Sequence, residues 1–68
     1  MRVIMMEKNR DGSLIPIDER EWSLEMLESL HHVNYCVING REYQTLEGRL
    51  NIDKGQIELL VVKMQNEG

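Results

Sequence analysis

His31, His32 and Cys36, the single cysteine, are the side chains best suited to hold a metal or attack a substrate. Adjacent histidines on a helix point about 100° apart and cannot chelate one ion as an i, i+4 pair does. Cys36 lies beyond a helix-to-strand junction, and no fourth ligand accompanies the three. The alternative to metal binding is solvation at a helix C-terminus, and no metal or cofactor is expected. A nucleophilic Cys36 would need a base and an orienting group, whereas a lone strand cysteine is ordinarily a small packed hydrophobe. Glu25 and Glu28 invite an acid/base reading, but on a polar helical stripe both stay ionised and solvated. Gly12, Gly40, Gly48 and Gly55 are scattered and build no phosphate loop, and Gly48, inside a strand, reads as a bulge or bend. No catalytic residue is expected.

Binding residues are easier to nominate. In an alternating register Ile38, Arg41, Tyr43 and Arg49 share one strand face with Cys36 and Thr45, a mixture of aliphatic, aromatic and guanidinium groups common at interface hot spots. An ordinary solvated face, with arginine stems covering Tyr43 and Ile38, is the alternative. Leu24 is left over on a helix with more apolar circumference than one sheet face covers. Leu59, Leu60, Val61 and Val62 put apolar side chains on both faces of the last strand. These four are the expected self-association surface, and Leu24, Ile38, Arg41, Tyr43 and Arg49 the expected partner surface.

The elements that must carry these residues follow from turn and cap signals. Residues 3–8 read as a strand, Asn9-Arg10-Asp11-Gly12-Ser13 as a turn, and residues 14–17 as a returning arm confined by Pro16 to an edge. Asp18 with Glu21 three residues on has the form of a capping box, which predicts a helix over 18–32. Asn39-Gly40 predicts a type I′ hairpin pairing Ile38 with Arg41 and Cys36 with Tyr43. Carried onward, that register puts Val33, Tyr35, Val37, Leu46, Gly48, Leu50 and Ile52 on the expected core face. Asp53-Lys54-Gly55 makes a second turn before a last strand over 56–64.

The expected fold is therefore α+β: an N-terminal strand or hairpin, one amphipathic helix, then a three-stranded antiparallel meander. It forms a single domain over 1–64, with a frayed tail at 65–68. Sixty-eight residues bury only about 60% of the unfolded surface, so a partner subunit would help. One cysteine excludes an internal disulfide and fits a reducing, cytoplasmic setting. No apolar run approaches about 18 residues, so no membrane span is expected, and the short apolar start does not make a signal peptide. The net charge of −4 argues against a broad nucleic-acid footprint. All of that excess lies in 18–32, where Asp18, Glu19, Glu21, Glu25 and Glu28 stand against Arg20.

Over residues 26–62, a helix end followed by VNYCVINGREYQTLEGRLNID resembles the small Sm-like barrel proteins of the YolD-like family, in the order helix, strand, polar turn and a G-x-L/I-x-x-D strand end. The resemblance implies a small regulatory barrel protein without enzymatic residues. The function expected is a non-enzymatic protein-binding module, a regulator or inhibitor of a larger protein of the kind mobile elements encode, acting as a homo-oligomer. The alternatives are a nucleic-acid-binding small β-barrel using Arg41, Tyr43 and Arg49, and an oligomer that binds a small ligand at a subunit interface.

Overall fold

Val3 and Met5 alternate with Ile4 and Met6 along β1 (Arg2–Lys8), and the turn after it returns the chain as β2 (Leu14–Glu21). The computed structural model describes residues 1–64; the expected frayed tail lies outside the described residues. Asn9 N–H donates to the Ser13 carbonyl at 2.9 Å and Gly12 N–H to the Asn9 carbonyl at 3.0 Å, closing the turn. The Asp11 carboxylate ties it further by accepting from Ser13 Oγ at 2.7 Å. Pro16 sits on β2 at the outer edge of the sheet, where a missing N–H costs no ladder bond.

The helix is shorter than the capping signal predicts. Residues 18–21 extend β2 instead, with Met5 facing Asp18, Ile4 facing Glu19, Val3 facing Arg20 and Arg2 facing Glu21. Two side-chain pairings favour the strand. Arg2 pairs with Glu19 across the ladder, and the Arg20 guanidinium grips Asp18 through two hydrogen bonds of 2.8 and 2.9 Å along β2. The chain start then seals the end, with Trp22 N–H donating to the Met1 carbonyl at 2.9 Å. Helix α1 (Leu24–Ser29) begins only at Ser23, whose hydroxyl accepts from Met26 N–H at 3.1 Å, and a 3-10 turn over Leu30–His32 ends it.

Three strands follow, β3 (Tyr35–Ile38), β4 (Arg41–Asn51) and β5 (Gln56–Lys63). Asn39 and Gly40 take φ of 52° and 77°, the left-handed pair of a type I′ turn, and Ile38 faces Arg41 as Cys36 faces Tyr43. The strand order is β2-β1-β5-β4-β3, with β1 and β5 parallel and every other pair antiparallel. This corrects the expected architecture. The N-terminal and C-terminal strands are not separate units joined through a long helix: they form one mixed five-stranded half-barrel with one short helix.

One sheet face carries the core: Val3, Met5, Trp22, Ile38, Tyr43, Leu59 and Val61, with Ile17, Leu27, Leu30, Cys36 and Ile57 packed against them. Val3 and Val61 are fully buried. The core face of the β3–β4 hairpin is thus the reverse of the one expected, since Val37 is 71% and Ile52 81% exposed while Ile38 and Tyr43 are buried. The choice is made by β5. Thr45 lies opposite Val61 and Tyr43 opposite Lys63, which brings the Tyr43 ring over the Leu59–Val61 side. A bulge between Thr45 and Glu47 then reverses the alternation, so no single two-residue period describes β4.

This inversion sets a measurable contrast. Ile38→Ala should cost about 2–5 kcal/mol, enough to unfold much of so small a domain, whereas Val37→Ala should change stability by no more than about 0.5 kcal/mol. Urea unfolding of the two variants reads the difference, and equal losses would restore the opposite face assignment.

Candidate functional site

Two polar or apolar constellations stand out on this scaffold, one on each face. On the face away from α1, Glu58 of the central strand is buried yet charged. Its neighbours explain how. Arg49 Nε donates to Oε1 at 2.6 Å, and Asn51 Nδ2 and Gln56 Nε2 donate to Oε2 at 3.0 and 2.9 Å. The Arg49 Nη2 contact at 2.5 Å completes the ion pair. Hydrogen bonds from Asn51, Gln56 and Arg49 hold the carboxyl down at about 2. A carboxylate so saturated with donors cannot serve as a general acid near neutrality, and its free lone pairs are few. It is a structural cluster: it satisfies the buried charge of the central strand and fixes the end of β4 against β5.

The second constellation is a hollow of about 220 Å³ between the start of α1 and the edge strand β3, lined by Met5, Arg20, Trp22, Met26, Cys36, Val37 and Ile38. Each element contributes for a local reason. β2 ends at Glu21 and drops Trp22 into the core; Ser23 starts α1 one step later and carries Met26 over the opening; β3 brings Cys36 and Ile38 inward. Met26 (45% exposed) and Val37 form an apolar rim, with Leu24 (73% exposed) two residues before Met26. Trp22 is buried, and its Nε1 finds no acceptor among the described residues. Burial pushes the Cys36 thiol up, so it lines the hollow as a neutral hydrophobe and not as a thiolate nucleophile.

The partner face expected around Ile38, Arg41, Tyr43 and Arg49 is not assembled. Ile38 and Tyr43 are interior, Arg41 is exposed at the hairpin, and the bulge sends Arg49 to the opposite face to bind Glu58. Leu59, Leu60 and Val61 are 4, 8 and 0% exposed, spent within this chain, and only Val62 of that run is partly open. Leu24 is the nominated apolar residue that remains exposed. The hollow is hidden in the sequence because the capping box at Asp18 puts Trp22 and Met26 within one long helix; Ser23 before an apolar run, a capping residue in its own right, is the signal that points to it.

His31 and His32 are exposed in the 3-10 turn, and among the described residues no three His, Cys, Asp or Glu side chains converge on a metal position. No helix of the described residues is long and apolar enough to cross a membrane. No protein-family model, no curated protein and no solved structure matches the chain.

The Glu58 cluster makes stability pH-dependent in an acid window. Its carboxyl is lowered from 4.5 to about 2, so the stabilisation is complete above 4.5 and is lost as pH falls through about 2. Urea midpoints of the wild type should therefore drop between pH 4.5 and 2 more steeply than those of Glu58→Gln; parallel profiles would show that the cluster is not formed in solution.

Proposed function

We propose that this chain is a non-enzymatic protein-binding module, a small cytoplasmic regulator or inhibitor that docks on a larger protein through the hollow between α1 and β3. The observation that carries the reading is the apolar rim of Met26 and Val37 around a depression already formed by buried Trp22, Ile38 and Met5, with exposed Leu24 two residues before Met26. Such a site accepts an aliphatic or aromatic anchor, with the surrounding contacts excluding water. The Arg20 guanidinium at the hollow adds donors for an acceptor on the entering group. Glu25 and Glu28 on α1, the helix that carries Met26, are exposed and favour a partner with basic residues around its apolar anchor. A small regulator without catalytic residues is also what the resemblance to the YolD-like barrels implies.

The buried, unpartnered indole supports a second reading, in which a small apolar molecule bearing a hydrogen-bond acceptor fills the hollow. The nucleic-acid reading loses its support from the geometry: Tyr43 is 5% exposed and offers no ring for stacking, and Arg41 and Arg49 lie on opposite faces.

Affinity capture from host extract with wild type, Met26→Asp and Val37→Asp tests the docking reading. Both substitutions fall on exposed side chains, so the fold persists and a genuine partner should be retained by the wild type and reduced at least tenfold by either variant. A protein captured equally by all three would place the interface elsewhere, and native mass spectrometry showing a small co-purifying molecule lost in Val37→Asp would favour the ligand instead.

A further inference from the structure

The sheet treats its edges unequally. β2 is blunted by Pro16 and by the charges of Asp18, Glu19, Arg20 and Glu21, the ordinary guard against edge-to-edge pairing. β3 covers the other side only in part. Its four residues pair with Arg41 to Gln44, and Thr45 N–H makes a last bond of 2.9 Å to the Asn34 carbonyl. From Leu46 to Asn51, β4 is paired to β5 along one edge alone, apart from the bulged residue, and no described strand lies along the other. This open stretch is neither prolyl nor uniformly charged. Leu46, Leu50 and Ile52 are 46, 59 and 81% exposed.

Its sequence, Leu46-Glu47-Gly48-Arg49-Leu50, is self-complementary when read against itself in the antiparallel direction. With Gly48 opposite Gly48 of a second copy, Leu46 meets Leu50 and Glu47 meets Arg49, each pair occurring twice about the two-fold axis. Arg49 spends Nε and Nη2 on Glu58 but its side chain is 58% exposed, so the guanidinium can accept a second carboxylate. The length also fits. Five residues pair within the six left open, and each chain leaves the edge at the turn of residues 52–55, before it would meet the other copy's β3.

We infer that the open edge of β4 is a homodimer surface, at which two copies join their half-barrels into one continuous ten-stranded sheet by antiparallel pairing centred on Gly48. The occupant is a second copy because the charge order along the edge complements itself, whereas a shifted register sets Glu47 or Arg49 against an apolar or like-charged residue. The contact is small, so association is expected at micromolar concentrations. This goes beyond the docking reading and does not rest on it, since the hollow lies against β3 and α1.

The experiment is register-specific cross-linking of the full chain in a Cys36→Ala background. Residue 48 would face its own copy at a cross-strand Cα distance of about 4.5–5.5 Å, within disulfide range, whereas the two residues 50 would stand about 14 Å apart. Nothing lies within 4 Å of a Cβ added at Gly48, so the substitution leaves the monomer intact. Mild oxidation should give a covalent dimer with Gly48→Cys at least tenfold faster than with Leu50→Cys. Light scattering should show a concentration-dependent dimer of the unmodified chain, weakened at least tenfold by Glu47→Arg, which sets like charges opposite Arg49 twice. A strict monomer at millimolar concentration, equal cross-linking by both thiol variants, or unchanged association of Glu47→Arg would each overturn the proposal.

Discussion

The structure depends on the burial of β5 on both faces. Leu59 and Val61 project into the helix-covered core, Leu60 and Glu58 into the opposite face, and all four are buried. A strand of this kind cannot sit at an edge, because its backbone groups would be left unpaired away from water. It therefore needs two neighbours, and β1 and β4 supply them. β4 arrives through the short turn of residues 52–55; β1 must come from the far end of the chain and lies parallel, with Met5 beside Leu59 and Val3 beside Ile57. That single non-local pairing makes one sheet out of what would otherwise be a hairpin and a meander.

Glu58 adds a second constraint inside the first. A carboxylate in the most buried strand is tolerable only if donors reach it, and the nearest arginine on β4 is Arg49. Tyr43 must at the same time turn to the core face. Residues 43 and 49 are six apart, so a regular strand would place both on the same side. The bulge between Thr45 and Glu47 resolves the conflict by changing the alternation between them. Local irregularity here is the consequence of satisfying an apolar ring and a buried charge with one strand.

The same conflict explains what could be read from the sequence and what could not. Turns were legible because their chemistry is local: Asn39-Gly40 prescribes its own hairpin, and the run Leu59-Leu60-Val61-Val62 announces a strand covered on both sides. Residues 18–21 were misread because a capping box and an edge strand can use the same acids, and the contest is decided by β1, whose pairing no short window contains. The partner face was misread for a related reason. Ile38, Arg41, Tyr43 and Arg49 alternate correctly over the hairpin, yet a bulge leaves no composition signal other than a nearby glycine, and here it falls two residues before Gly48. The hollow at Trp22 was hidden by the same error in the helix start.

The bulge also decides where the sheet stays open. β3 follows β4 only as far as the bond between Thr45 and Asn34, which is the residue at which the bulge begins and the strand changes direction. Beyond it, β3 has no regular ladder to join, and β4 runs on with no described strand along its second edge. Natural sheets blunt such an edge when it has no use, as β2 does here with proline and charge. Along β4 the charges are instead of opposite sign and placed symmetrically about a glycine, between two exposed leucines. Gly48 weakens the strand intrinsically and fills no tight space in the monomer, so its presence is not explained by the chain's own packing. An edge left bare by one structural necessity, and patterned so that only its own antiparallel image satisfies it, is better understood as a surface than as a defect.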